Sequence, residues 1–326
     1  MAADVQELTP DHRITLNRVG VTGIRKLIVR QRGGQENALS AHIEVYIDLN
    51  PTKKGIHMSR CTDTINEVIE EGVEHEVADV EQFCTEVASR LLERHPEATR
   101  TEVHLAAEYP LERKSPVSGR QSQEMYTLVG RAVARRTNGD ISTRRTIGVE
   151  VEGMLACPCA QEMMRETSRE VLVEAGMDDA AIDKVLGRLP IATHNQRGSA
   201  ELTVGLADPR LRVEADMLID IVEEAFSSPV FEVLKRPDEA HVVSRAHKRP
   251  RFVEDAVRSM VGGVTTHFPE LPDDALVAAR MESMESIHRH NAVAECTATL
   301  GLLRAQLGGE DHHPTPRYHS LHEWMR

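Results

Sequence analysis

TIGVEVEGMLACPCAQEMM, residues 146–164, changes its period in mid-course. Ile147, Val149 and Val151 alternate with small or acidic residues, the period-two signature of a strand with one buried face. Past Cys157-Pro158-Cys159 the alternation stops, and a mostly helical segment rich in Glu, Asp and Met occupies about 160–197. Alternation resumes in SAELTVGL (199–206), with Leu202, Val204 and Leu206 on one face. The segment between the two strands reads as an insertion, placed either to wall a site or as a packing excursion.

Outward from this corner the same order of elements appears twice. In the first half a hairpin is expected from strand-like runs around 14–31 and 41–49, where AHIEVYIDL sets Ile43, Val45, Ile47 and Leu49 on one face. Helical spacing follows through Ile65, Val68, Ile69 and Val73 and again over about 80–93, before strand-like runs at 101–111 and 124–136. In the second half the two strands around the insertion precede helical patterns at about 211–226 and 251–262, and apolar strand-like stretches near 275–303. The expectation is one α+β domain over 1–326, made of two pseudo-repeats (about 12–138 and 142–305) and a short polar tail at 306–326. The repeat is one of pattern, without sequence identity between the halves.

Composition narrows the function classes. With 40% hydrophobic and 28% charged residues among 326, a folded core is the expectation. Cys61, Cys84, Cys157, Cys159 and Cys296 are odd in number, no secretory pattern opens the sequence, and no apolar run reaches the ~18 residues that span a bilayer. A cytoplasmic protein without membrane contact is expected. Net charge is −13, which argues against nucleic acid as a partner. Only seven of the 39 basic residues are lysines, a balance that resembles proteins of salt-loving archaea.

One C-x-C without a second pair is weak evidence for a structural zinc site. A single thiolate joined by histidine and carboxylate from elsewhere would instead make a catalytic metal site with an open water position. Candidates cluster in ATHNQRG (192–198) with His194, in KRPDEAHVV (235–243) with Asp238, Glu239 and His241, and in ESMESIHRHNA (282–292) with Glu282, Glu285, His288 and His290. Spacing alone does not select among them. If the last cluster is a strand, His288 and His290 share one side about 7 Å apart. RPRFVEDAVR (249–258) reads as a helix start with Pro250 in its first turn, and Glu254 stands four residues before Arg258 as a helix ion pair.

Seven stretches together carry a resemblance: RVGVTGIRKL (18–27), DLNPTKKGIHMSR (48–60), ACPCAQEM (156–163), THNQRG (193–198), FEVLKRPDE (231–239), RFVEDAVR (251–258) and ESIHRHNA (285–292). In this order they resemble the GTP cyclohydrolases unrelated in sequence to the classical folate enzyme, the bacterial type IB and archaeal type IV branches. The resemblance implies a tunnelling fold of two tandem strand-strand-helix-helix-strand-strand units. It also implies sheets joined into a barrel by oligomerisation, and a homotetramer with active sites at subunit interfaces. It implies Cys157, His194 and Glu239 as metal ligands and Glu254 as the carboxylate that anchors guanine. Glu285, His288 and His290 would line the reacting end, with Cys159 secondary.

About 37 residues separate Cys157 from His194, where the bacterial motif is more compact. That insertion, the acidic surface and the H-R-H pair favour the archaeal branch. The implied reaction is iron(II)-dependent, with zinc or manganese as alternatives of similar ligand preference. It turns GTP into 7,8-dihydroneopterin 2′,3′-cyclic phosphate, formate and diphosphate, the first step of methanopterin or folate-type pterin synthesis. The alternative is the type IB product, 7,8-dihydroneopterin triphosphate.

Overall fold

A computed structural model describes residues 4–32, 35–75, 80–310, 317–318 and 320–326. Residues 311–316 and 319 of the expected tail lie outside the described residues. The chain runs β1 (Leu16–Arg32), β2 (Gln35–Leu49), α1 (Met58–His75), α2 (Val80–Arg94), β3 (Arg100–Lys114) and β4 (Gln121–Thr137). It continues with β5 (Asp140–Ala156), α3 (Pro158–Glu174), α4 (Asp179–Leu186), β6 (Asn195–Leu206), α5 (Ala215–Ala225), β7 (Ser228–Pro229), α6 (Arg236–Lys248) and α7 (Val253–His267). The last elements are β8 (Leu276–Ser283), β9 (Ala292–Thr299), α8 (Leu300–Leu307) and α9 (Leu321–Trp324).

The strands form one antiparallel sheet in the order β1-β2-β3-β4-β5-β6-β8-β9, with β7 paired to β5. Between β4 and β5 the chain turns through Asn138 and Gly139, both at positive φ (55° and 95°). That conformation suits a tight hairpin and explains the Asn-Gly pair. Long ladders follow from the alternation seen in sequence: Ile147 faces Val204 and Val149 faces Leu202 across β5 and β6.

Helices cover one face of the sheet. Val45, Val103, Ala132, Val149, Val204 and Val277 point to that face and are buried against α1, α2, α5 and α7. Each fully buried aliphatic side chain of this kind contributes about 1.5–3 kcal/mol. The opposite face carries charge, including Arg18, Glu102, Arg131, Glu201, Arg280 and Glu295. Its apolar island is Val133 and Leu276 under Trp324 and Met325. The tail is therefore not merely polar, since its end returns to the sheet and buries Trp324 to 3% exposure.

Two further expectations change. Residues 300–303, read as part of a strand, open α8, because the Thr299 side chain accepts the Leu302 amide and caps a helix there. Residues 284–291 are not a strand but a run of bends joining β8 to β9.

Candidate functional site

The corner read from sequence is built by register. β5 and β6 pair to their ends, Ala156 opposite Asn195, and the Cys157 amide then donates to the His194 carbonyl at 3.1 Å. The Thr193 hydroxyl donates to the Cys157 carbonyl at 2.7 Å. Cys157 is the N-cap of α3, with Pro158 in its first turn, where a missing N–H costs nothing. The 36-residue excursion therefore returns His194 beside Cys157.

Packing below holds the corner still. At Gly153 a Cβ would meet the Phe226 ring at 2.3 Å, so only glycine admits this ring against β5. The hydroxyl of Ser227, the next residue, accepts from the Ala156 amide at 3.1 Å. The Arg251 amide donates to the Ala156 carbonyl at 3.0 Å, and its guanidinium reaches the Ala225 carbonyl at 3.2 Å. These bonds bring the start of α7 to the end of β5.

Gln196 organises the next layer. Its Nε2 donates to Glu285 Oε1 at 3.1 Å and to Ser283 Oγ at 3.0 Å, and Ser283 Oγ donates to Glu285 Oε1 at 2.8 Å. With the amide nitrogen turned to these acceptors, Gln196 Oε1 faces His194 Nδ1 at 2.9 Å. The oxygen accepts, so Nδ1 carries a proton, and in the neutral ring the lone pair is then on Nε2. A second partner that fixes the tautomer is the usual setting of a metal-ligating histidine. Glu285 Oε2 lies 3.9 Å from the same Nδ1, and both side chains are 12% exposed.

A cavity of about 330 Å³ opens here, lined among others by Cys157, Gln196, Arg251, Glu254, Ser283 and Glu285. Arg251 is the cationic side chain of this lining, and Glu254 stands in the first turn of α7, where the helix dipole favours a carboxylate. The expected ion pair of Glu254 with Arg258 is not formed. Arg258 lies 3.5 Å from Asp255, and among the described residues Glu254 has no hydrogen bond or ion pair. Pro250 precedes the helix, which begins at Val253 after the Phe252 amide donates to Asp255 at 3.2 Å.

The remaining candidates lie apart from the lining. Glu239 is exposed on α6, one residue beyond Asp238, which is fully buried. Asp238 accepts from the Val117 and Ser118 amides, the Ser118 hydroxyl and the Lys235 amide at 2.7–2.9 Å. Burial pushes its carboxyl up, but these donors outweigh it and hold the group well below the usual carboxylate range. Asp238 thus clamps α6 to the β3–β4 turn. His288 and His290 are exposed, with rings stacked at 5.1 Å. Cys159 is exposed, unlike the half-buried Cys157.

Cys157, His194 and a carboxylate do not bring their donor atoms within 4.8 Å of one another; among the described residues, Asp4, Glu7 and His57 do. The thiol, the free imidazole nitrogen and nearby carboxylates still fit a divalent transition ion in donor chemistry. Sequence reasoning missed Gln196 and Arg251, although both stand inside quoted motifs. The signal available was their position beside a candidate ligand and a candidate anchor.

The chain belongs to the family described as type I GTP cyclohydrolase folE2, which matches residues 2–294, and is an enzyme of the GTP cyclohydrolase class. Among curated relatives it is 43% identical over 305 residues to the GTP cyclohydrolase MptA of Methanothermobacter thermautotrophicus, covering 93% of this chain and 95% of the relative. It is 41% identical over 309 residues to that of Methanospirillum hungatei, covering 94% of each. Among solved structures, the uricase of Arthrobacter globiformis superposes with a TM-score of 0.52 at 9% identity, covering 94% of this chain and 96% of that one. A Bacillus fastidious uricase gives 0.51 at 10% identity, covering 94% and 99%. At such identities the likeness concerns the fold alone.

Proposed function

We propose that this GTP cyclohydrolase converts GTP to 7,8-dihydroneopterin 2′,3′-cyclic phosphate, formate and diphosphate, and that it serves pterin synthesis of the methanopterin or folate type. The observation that carries the reading is that Cys157, Glu254 and Glu285, nominated from three separate motifs, line one cavity. The names of the relatives at 40–43% identity support the archaeal reaction.

Cys157 and His194 Nε2 would hold an iron(II) ion, with Glu239 as the third ligand that the resemblance implies. When bound, the ion supplies Lewis acidity that makes water a competent nucleophile near neutral pH. The protein residues do the rest. Gln196 keeps the proton on His194 Nδ1. The Glu254 carboxylate accepts the N1–H and 2-amino hydrogens of guanine, two parallel charge-assisted bonds that fix the ring in the cavity. Arg251 puts positive charge on the same wall. His288 and His290 exchange protons with the imidazole-ring nitrogens of the substrate as C8 leaves as formate.

The same reading gives the chain two tandem tunnelling-fold units, whose sheets join into a barrel by oligomerisation, and a homotetramer with active sites at subunit interfaces. The exposed His288–His290 loop supports this, since a neighbouring subunit closing over it would strengthen the electrostatic contacts of these histidines with substrate.

The test is anaerobic purification with metal analysis, then turnover of GTP with iron(II), zinc or manganese and a phosphate count on the product. One phosphate on the pterin, with diphosphate released, is expected. Membership of a type I family favours a second outcome, three phosphates retained, which would assign the type IB reaction. Absence of formate release with every ion would overturn the reading.

A further inference from the structure

The helix-free face of the sheet holds a charge arrangement that the cyclohydrolase site does not use. Arg100 on β3 and Arg135 on β4 are directly opposite partners in the ladder. Like charges at directly opposite positions destabilise a sheet. Arg144 joins them from β5, opposite Val133, one step along the same face. The Nε atoms of Arg100 and Arg135 are both buried without a hydrogen-bond partner.

Counter-charge is short. Glu102 is the buried carboxylate nearby, and it already faces Arg18 at 3.4 Å, Arg100, and His104 at 3.7 Å. Among the described residues Arg135 has no ion pair or hydrogen bond, and Arg144 donates to a neutral acceptor, the Trp324 carbonyl. Its guanidinium also lies over the Trp324 ring, 5.2 Å from the centroid. Burial and the charges of Arg100, Arg144 and Arg326 lower the Arg135 pKa, while Glu102 raises it. In a chain of net charge −13, three guanidinium groups on one patch, of which only Arg100 has an ion pair among the described residues, call for an anion.

We infer that Arg100, Arg135 and Arg144 form a phosphate-binding site on the helix-free face, walled by the Trp324 segment. Guanidinium groups present planar pairs of N–H donors that match phosphate oxygens, and the two orphaned Nε–H groups supply the inner bonds. A bound phosphate would relieve the Arg100–Arg135 repulsion and tie β3, β4 and β5 together beside the returning tail. The ligand is either free inorganic phosphate or the phosphate chain of a nucleotide.

Thermal melting of the full chain tests this, in KCl and in inorganic phosphate at matched ionic strength, for wild type and Arg135→Gln. Wild type should gain about 3–6 °C, saturably, with millimolar phosphate. Arg135→Gln should lose most of that gain, melt no lower than wild type in KCl, and turn over saturating GTP within about twofold of wild type. ADP, which lacks guanine, forms the second arm. A gain at about tenfold lower ADP than phosphate assigns the site to nucleotides, and equal or weaker action assigns it to the free anion. Three results would overturn the inference: no saturable gain in wild type, the same gain in Arg135→Gln, or a lower melting temperature of Arg135→Gln in KCl. The last would show that Arg135 already has a counter-ion, such as a carboxylate of a second copy.

Discussion

The Cys157 corner and the His288–His290 loop belong to one proposed site, yet the chain builds them differently. At the corner each group is held by at least one neighbour: Cys157 by the His194 and Thr193 bonds, His194 by Gln196, and Gln196 by Ser283 and Glu285. Past Ser283 the chain leaves the sheet and exposes both histidines, whose recorded contact is with each other. Strand register positions the first group without help. The second has no such frame among the described residues.

Substitutions can break this contrast. Cys157→Ser should abolish turnover and most metal binding, whereas Cys159→Ser, at an exposed position, should leave both largely intact. Metal stoichiometry measured beside rate separates the two, and equal losses would show that the corner is misassigned. His288→Ala and His290→Ala should each lower kcat by roughly 10²-fold or more, the range of general acid–base groups, with metal content and melting temperature unchanged. A fall in metal content would move these histidines into the ligand set.

Glu254→Gln should lower kcat/KM for GTP on the order of 10²-fold, since a donor would replace one acceptor facing guanine. Melting temperature should barely change, because the carboxylate has no partner to lose among the described residues. A ratio within about threefold of wild type would reject the anchor. Gln196→Leu sharpens the comparison from the other side. Loss of the bond that sets the His194 tautomer should weaken metal affinity by about 10–100-fold, visible in a chelator competition without any assay of turnover. An unchanged affinity would mean that the tautomer is set elsewhere.

The smallest effect expected is on stability in salt. If the acidic surplus and scarcity of lysine reflect life in salt, melting temperature should climb by several degrees between low and molar KCl as screening relieves self-repulsion. A flat curve would remove the halophilic reading and leave the site untouched.

Much of the corner was legible because local chemistry announces it. Alternation in 146–156 and 199–206 marks the two strands, and the cysteines mark their junction with α3. The loop was only conditionally a strand in sequence: ESMESIHRHN runs on from β8 without a turn signal, but no strand ladder among the described residues extends to it beyond Ser283. Pairing is a property of two segments, and one segment's pattern cannot report it. Likewise Glu254 and Arg258 have ideal helix spacing, but Asp255, a residue nearer, takes the arginine. α6 was not foreseen, since its polar composition gives little amphipathic signal and its anchor, Asp238, bonds to a turn 120 residues upstream.

By itself the sequence determined the alternation of strands and helices, the strand-to-helix corner, the acidic net charge and the thiol, imidazole and carboxylate groups in its motifs. These are set by periodicity and side-chain chemistry within a few residues. Only the tertiary structure decided that Gln196 orients His194, that Asp238 is a clamp while Glu239 is exposed, and that Trp324 returns to the sheet beside Arg144. Such pairings join residues distant in the chain, and sheet register and burial select one of the many partners that sequence leaves open.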